Sequence, residues 1–137
     1  MIERIYPTGV PAPRGPYSPA VRAGDFIFVS GQVPVDPATQ QLVSGDVATE
    51  TRRVLTNIQE ILKGCSASMS DVVKCNVYLA DRKDFAAMNA VYAEFFGDAK
   101  PARATVVTGF AMEGIHVEIE CMAYQPRPVD VVSNKKA

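Results

Sequence analysis

The chain has 137 residues, of which 47% are hydrophobic and 21% charged, and its formal net charge is −1. This length is typical of one domain, which we expect to span residues 1–137 with a frayed tail from about residue 126. The 14 basic and 15 acidic residues argue against nucleic-acid binding, which needs an excess of Lys and Arg. No apolar run approaches the roughly 20 residues of a membrane span, so we expect no membrane partner.

The cysteines and the first residues favour a cytoplasmic protein. Residues 1–4 lack the apolar stretch of a signal peptide, and we expect none. Cys65, Cys75 and Cys121 form no C-x-x-C pair and leave an odd count, as reduced cytosolic thiols do. The single histidine, His116, argues against a histidine-rich zinc site and a two-histidine nuclease, so we expect no metal.

Strands are predicted from runs of β-branched and aromatic residues. A short run at 20–22 is separated from the next by a Gly24-Asp25 turn, and residues 36–39 form a second turn. The main strands are predicted at 25–31, 71–80, 104–108 and 116–124.

Two helices are predicted between these strands. The first covers 47–63, where apolar residues follow helical spacing and Asp46 is the expected N-cap. The second covers 85–96, with Asp84 as its expected cap and Gly97 as its end. The order strands, helix, strand, helix, strands predicts an α+β fold, a mixed β-sheet with two helices packed on one face.

Arg103 follows Pro101 at the start of a strand-like run. The planar guanidinium matches both oxygens of a carboxylate, so an arginine at a strand end is a receptor for a small organic acid. The alternative is a surface arginine in an ordinary ion pair, which contributes little.

Two alternating glutamates lie on the last predicted strand. Alternation places Glu118, Glu120 and His116 on one face, opposite the apolar residues of 117–121. A solvated strand face is the plain interpretation. If the face is buried instead, two like charges raise the pKa of one carboxyl, and that carboxylate is a candidate to act on water.

Three more residues are candidates with ordinary structural alternatives. Tyr17 lies in a stiff Gly-Pro-Tyr-Ser-Pro loop and either offers its hydroxyl to a ligand or covers a core edge, which is favoured. Gly31 ends a strand and marks a bulge, a close backbone approach or a bare turn. Asn89 lies inside the second helix and either faces water or bonds a neighbouring loop.

Together these segments resemble the RidA/YjgF family of enamine/imine deaminases. The resemblance is carried by Gly-Pro-Tyr-Ser-Pro-Ala at 15–20, Ile-Phe-Val-Ser-Gly-Gln-Val-Pro-Val at 27–35, Asp-Val-Val-Lys at 71–74, Tyr-Ala-Glu-Phe-Phe at 92–96, Pro-Ala-Arg at 101–103 and Val-Glu-Ile-Glu at 117–120. It implies a chorismate-mutase-like fold and a homotrimer with three sites in the clefts between subunits.

The resemblance also implies a role for each candidate residue. Arg103 matches the arginine that grips the substrate carboxylate, and Glu118 the acidic residue associated with the attacking water. Tyr17 matches a tyrosine lining the cleft, Gly31 a glycine whose backbone faces the ligand, and Asn89 a polar residue near the site.

Thr105 departs from the family pattern. Many members have Cys or Ser two residues after the arginine, and threonine keeps the hydroxyl but adds a methyl group. We include Thr105 among the substrate-binding residues, where it excludes a thiol role and narrows the pocket or shifts substrate preference.

The implied activity is hydrolysis of short 2-imino acids and their enamines to 2-keto acids and ammonia, without a cofactor. The substrates are 2-iminopropionate (2-aminoacrylate) and 2-iminobutyrate (2-aminocrotonate). Three alternatives stay open: a non-catalytic 2-keto acid sensor, a specialised 2-aminomuconate-type deaminase, and a ribonuclease or translation inhibitor. The charge balance and the single histidine speak against the last.

Overall fold

The computed structural model describes residues 1–43 and 45–127. Its strands are β1 (Ile2–Ile5), β2 (Ala20–Ala23), β3 (Phe26–Gln32), β4 (Val35–Asp36), β5 (Gln41–Leu42), β6 (Val72–Leu79), β7 (Ala102–Val107) and β8 (Val117–Tyr124). Strands β4 and β5 form a two-stranded ribbon across the predicted turn at 36–39. The other six form one sheet in the order β1-β2-β3-β8-β6-β7.

The large sheet is mixed, as predicted. Strands β6 and β7 pair in parallel, and every other neighbouring pair in this sheet is antiparallel. A parallel pair needs a crossover connection, and the second helix supplies it between β6 and β7. This connection leaves β7, the strand that carries Arg103, at an edge of the sheet.

The two helices match their predicted spans. Helix α1 (Val47–Gly64) begins at Asp46, whose side chain accepts a hydrogen bond from the Thr49 N–H at 2.8 Å. Helix α2 (Phe85–Phe96) ends at Gly97, whose φ of 52° lies in the left-handed region that glycine tolerates.

The prediction that Asp84 caps α2 is wrong. Asp84 has helical backbone angles and its side chain makes no capping hydrogen bond. It closes a 3₁₀ turn, Arg82–Asp84, that leads directly into α2, and Asp81 caps that turn by accepting from the Lys83 N–H at 2.9 Å. A residue that is already helical cannot turn its carboxylate back to the first free N–H groups, so the cap moves upstream.

Both helices lie on one face of the large sheet, called here the helix-covered face. Helix α1 packs against β3, β8 and α2. Its Leu55, Ile58 and Ile61 are fully buried, as are Val77 and Ile119 from the sheet. The three cysteines are free and buried, as predicted, and burial raises the pKa of each thiol. Such thiols act as small hydrophobes rather than nucleophiles.

The opposite face of the sheet, called here the open face, has no helix over it in the described part of the chain. Phe26, Phe28 and Tyr124 project from it with 41%, 42% and 45% of their surface exposed. The rings of Phe26 and Tyr124 stack in a tilted arrangement, 5.2 Å apart. Large aromatic side chains in a contiguous exposed row are typical of a surface that another protein covers.

Two further findings concern the chain ends. Strand β1 was not predicted, although it pairs along its whole length with β2. Of the tail predicted from about residue 126, residues 128–137 lie outside the described part, while Arg127 forms a salt bridge with Glu3 of β1 at 2.6 Å. No helix among the described residues is long and apolar enough to cross a bilayer.

Candidate functional site

The predicted site residues lie on opposite faces of the large sheet. Arg103 pairs with Cys75 across β7 and β6, which places it on the helix-covered face. Glu118 pairs with Tyr78 across β8 and β6, and Tyr78 is three residues from Cys75, so it points to the open face. The sheet therefore separates Arg103 from Glu118 within one subunit.

Arg103 and its neighbours form the first half of the site. The Arg103 guanidinium carbon lies 4.7 Å from the centre of the Tyr92 ring and 5.6 Å from that of Phe85. Asn89 is half-buried and stands between these aromatic residues at helical spacing on α2, so it shares their face. Within the described chain, Arg103 forms no salt bridge, which disfavours the ion-pair interpretation.

Two buried hydroxyls accompany Arg103. The Tyr92 hydroxyl and the Thr105 Oγ1 have no hydrogen-bond partner among the described residues. An unpaired buried hydroxyl costs about 1–3 kcal/mol, so each of these two hydroxyls would be stabilised by a polar partner. Burial raises the pKa of Tyr92, so this hydroxyl stays protonated at neutral pH and is able to donate.

The second half of the site is a cavity of about 440 Å³ on the open face. Tyr17, Gly31 and Glu118 line it together with Arg14 and Glu120. Much of the remaining wall is apolar and comes from prolines and valines of the loop before β2, the segment after β3 and the start of β4: Pro11, Pro13, Pro19, Val33 and Val35. This volume lies in the range of small-molecule pockets.

Gly31 allows Glu118 to enter this cavity. The register between β3 and β8 shifts between Val29 and Gln32, so Gly31 lies in a bulge, one of the alternatives predicted for it. A Cβ built on Gly31 collides with the Glu118 carboxylate, whose Cδ would be only 3.2 Å away. The missing Cβ of Gly31 therefore leaves the space that the Glu118 carboxylate occupies.

The two glutamates of β8 have different surroundings. Glu120 accepts hydrogen bonds from the Tyr78 hydroxyl at 2.6 Å and from the Asn76 amide at 3.1 Å. The pKa of Glu118 is raised, mainly by burial and further by the charge of Glu120. A carboxylate with a raised pKa is a better proton acceptor, so the surroundings of Glu118 suit a general base better than those of Glu120, whose carboxylate is held by two hydrogen bonds.

Tyr17 is held on the cavity rim by its loop. The Tyr17 hydroxyl accepts from the Arg14 N–H at 3.1 Å, and the Ser30 Oγ donates to the Ser18 carbonyl at 2.6 Å. These bonds fix the loop against the bulged end of β3. Tyr17 is 45% exposed, so the structure places it along the cavity and not over a core edge.

The predicted position of His116 is wrong. Strand β8 begins at Val117, so strand alternation does not extend to His116. The His116 ring forms a hydrogen bond to the Glu50 carboxylate of α1 through Nδ1. The backbone N–H of His116 donates to the same carboxylate at 2.8 Å. Glu50 is 1% exposed, and this pairing raises the pKa of His116. A buried carboxylate requires such partners, which local sequence does not reveal.

Sequence reasoning also missed Phe85 and Tyr92 as neighbours of Arg103. Their apolar character predicted a core helix, and nothing in their spacing pointed to an arginine more than ten residues later. The available signal was that an arginine without a nearby acid needs some partner, and aromatic faces are one of the few alternatives.

Comparison with known proteins decides the family. A model described as endoribonuclease L-PSP matches residues 8–125, a span that includes every candidate residue. The chain belongs to the RidA/YjgF family. A RutC family protein of Pyrococcus horikoshii is 48% identical over 125 residues, which cover 91% of this chain and 99% of the relative.

A second relative in the RidA/YjgF family has a name that states a reaction. The 2-iminobutanoate/2-iminopropanoate deaminase of Capra hircus is 45% identical over 126 residues, covering 91% of this chain and 92% of the relative. The archaeal relative's name states a family and no reaction. These relatives together establish membership without establishing the substrate.

Solved structures of RidA/YjgF proteins have the same fold. RidA from the Antarctic bacterium Psychrobacter sp. aligns with a TM-score of 0.85 at 38% identity, covering 89% of this chain and 98% of that one. TdcF of E. coli, solved with bound serine, aligns with a TM-score of 0.84 at 32% identity, covering 90% and 98%. The α+β architecture of two helices on a mixed sheet is thus that of the family.

Proposed function

We propose that this protein hydrolyses short 2-imino acids and their enamines to 2-keto acids and ammonia. The substrates are 2-iminopropionate and 2-iminobutyrate with their tautomers, 2-aminoacrylate and 2-aminocrotonate. The observation that carries the proposal is the guanidinium of Arg103, which forms no salt bridge among the described residues and is therefore suited to receive a carboxylate. The raised pKa of Glu118, which lines the cavity on the open face, supports it. The name of the goat relative supports the same reaction.

We further propose that the site lies between subunits of a homotrimer. Arg103 and Glu118 are on opposite faces of one sheet, so two copies of the chain are needed to bring them into one cleft. The open face, with exposed Phe26, Phe28 and Tyr124, is suited to be covered by another copy. A closed ring of three copies repeats one heterologous contact, in which two different surfaces meet. Such a contact can join the Arg103 side of one copy to the Glu118 side of the next.

In the proposed mechanism, Arg103 binds the substrate carboxylate through two parallel N–H···O bonds. This places the C=N carbon beside a water that Glu118 of a neighbouring subunit orders. The substrate reacts as its protonated iminium form, C=NH₂⁺. Water attacks the carbon, Glu118 takes one proton from this water, and the electrons of the C=N double bond pass to nitrogen, which gives a carbinolamine with OH and NH₂ groups. Glu118 returns its proton to the NH₂ group. The C–N bond then breaks and ammonia leaves, while the hydroxyl oxygen forms the C=O bond and gives its proton back to Glu118, which releases it to water.

The other candidate residues support these two. Tyr17 and Gly31 shape the side of the cleft that holds Glu118, while Asn89 and Thr105 flank Arg103 on its side. Positioning and charge suffice because these imines already hydrolyse in water, and each tenfold gain needs only about 1.4 kcal/mol. We expect no cofactor, no nucleic-acid partner and a cytoplasmic location, with one domain over residues 1–137 and its tail from about 126 outside the site.

The test is an imine-trapping assay. A threonine dehydratase generates 2-iminobutyrate, and semicarbazide competes with hydrolysis to form a semicarbazone. Wild-type protein should reduce semicarbazone formation, and Arg103→Ala should not, while both elute at the same volume as trimers. Arg52→Ala is the matched control, because Arg52 is an exposed arginine in a salt bridge with Glu94. Full activity of folded Arg103→Ala would overturn the proposal.

A second candidate is a specialised deaminase for a larger acid such as 2-aminomuconate. The cavity beside Glu118, about 440 Å³ in the single chain, supports it, because pockets of this volume take acids larger than a four-carbon imino acid. The protein's suppression of semicarbazone formation is measured with 2-iminobutyrate and with the imine form of 2-aminomuconate. The stronger suppression identifies the preferred substrate. Protection by 2-keto acids against thermal unfolding, with no suppression of either semicarbazone, indicates a sensor instead.

A further inference from the structure

The contacts of the half-buried Arg103 differ from those of the fully buried Arg22. Arg22 is 4% exposed and donates hydrogen bonds to the carbonyls of Gly24, Cys65 and Gln125. Arg103 instead lies over the rings of two α2 residues. The donors of Arg22 are thus used within the fold, whereas the Arg103 guanidinium donates no hydrogen bond to any residue that the structure describes.

Phe85 and Tyr92 are placed for this contact by helix geometry. They are seven residues apart, which is two helical turns, so both rings project from the same side of α2 towards the edge strand β7. Tyr92 is 8% exposed and packs on Phe96 with ring centres 4.5 Å apart, while Phe85 is 44% exposed. Tyr92 is thus the inner, fixed ring and Phe85 the outer one.

An aromatic face attracts a guanidinium and leaves its N–H groups free. A carboxylate or carbonyl acceptor, in contrast, occupies those N–H groups with hydrogen bonds. The attraction comes from the ring quadrupole and needs no hydrogen bond. A carboxylate in the same place would hold the cation equally well, but it would occupy the fork that a ligand carboxylate has to engage.

We propose that Phe85 and Tyr92, together called the aromatic clamp, are positioning residues for Arg103. The aromatic clamp holds the guanidinium at the subunit cleft and keeps its N–H donors available for the substrate carboxylate. This inference rests on the proposed function, because it takes Arg103 as the carboxylate receptor.

The clamp has a specific kinetic signature. A loosened Arg103 still carries its charge and still engages the carboxylate, but less tightly in the ground state and the transition state alike, so KM rises while kcat changes little; removing Arg103 altogether also removes the positioning of the C=N carbon. A merely structural defect lowers the fraction of folded protein and reduces kcat at constant KM. The desolvated inner ring contributes more than the exposed outer one, so we expect about a tenfold effect for Tyr92 and a two- to fivefold effect for Phe85.

The experiment compares Tyr92→Leu, Tyr92→Phe and Phe85→Leu with wild type. Two quantities are measured: KM and kcat for 2-iminobutyrate generated by a dehydratase, and the Kd of 2-oxobutanoate by calorimetry. Tyr92→Leu should raise KM and Kd about tenfold with kcat within about twofold, and Phe85→Leu should raise both two- to fivefold. Tyr92→Phe keeps the ring face, so its KM and Kd should rise clearly less than those of Tyr92→Leu.

The outcomes separate the clamp from the proposed function. Unchanged KM and Kd in both leucine variants, with Arg103→Ala inactive, overturn the clamp and leave the proposed function standing. If the wild-type protein hydrolyses no imine but the leucine variants bind 2-oxobutanoate more weakly than wild type, the clamp is supported and the proposed hydrolysis is overturned. If Tyr92→Leu does not fold, Phe85→Leu decides, because its exposed site tolerates the change. Activity retained by Arg103→Ala overturns both.

Discussion

Substituting Gly31 by alanine tests whether the position of Glu118 controls the rate. An added Cβ collides with the Glu118 carboxylate, which must move by about 1 Å to reach van der Waals distance. Misplacing a reacting group by this distance costs about 10²-fold in rate. Because the obstacle is the end of a flexible side chain, the carboxylate moves aside and the fold tolerates the change. We therefore expect Gly31→Ala to lower kcat about a hundredfold with little loss of stability.

The assay is semicarbazone competition, with the midpoint of urea unfolding as a check on stability. Gly109→Ala is the matched control, because a Cβ on Gly109 meets no atom within 4 Å, and it should retain full activity. In a Glu118→Ala background the collision is absent, so adding Gly31→Ala should have no further effect. Wild-type kcat in Gly31→Ala, or an equal loss in the Glu118→Ala background, would refute the reasoning.

The other predictions concern pH and helix capping. When kcat/KM is plotted against pH, the midpoint of its acidic limb should lie above the ordinary glutamate pKa, because burial and the charge of Glu120 raise the pKa of Glu118. Glu120→Gln removes that charge and should shift the midpoint to lower pH. The pKa of His116 is raised in the folded state by a buried glutamate, so its stabilisation is complete below about pH 6.5 and is lost as pH rises through the folded pKa. The Tm advantage of wild type over His116→Ala should therefore shrink between pH 6 and 9, and a constant difference contradicts this. Asp46→Ala should cost about 0.5–2 kcal/mol in urea unfolding, whereas Asp84→Ala, which removes no capping bond, should stay within about 0.5 kcal/mol.

Local patterns predicted the helices because a helix is stabilised within its own segment. The apolar spacing from Val47, the N-cap Asp46 and the stop at Gly97 each act through neighbours a few residues away. The prediction that Asp84 caps α2 was wrong for a related reason. Residues 82–84 already form a helical turn, so which of Asp81 and Asp84, three residues apart, caps the start depends on their backbone angles.

The accuracy of the strand predictions was limited because a strand is stabilised by its partner strands, which the local sequence does not show. The central strands β6 and β8 were found because both have dense β-branched residues, whereas β1 is a short edge strand stabilised by β2 alone. His116 shows the same limit at the end of a strand. Alternation of side chains holds only within the hydrogen-bonded ladder, and a buried glutamate from α1 determines where this ring lies.

The amino-acid sequence by itself determined the two helices, the mixed sheet and the family motifs that carry Arg103 and Glu118. Only the tertiary structure decided that these two residues lie on opposite faces of one sheet. The reason is physical: a side chain's face depends on register with the neighbouring strand, and a shift of one residue reverses it. Strand order then places Arg103 on edge strand β7, where Phe85 and Tyr92 reach it, and Glu118 on central strand β8, where the bulge at Gly31 makes room for its carboxylate.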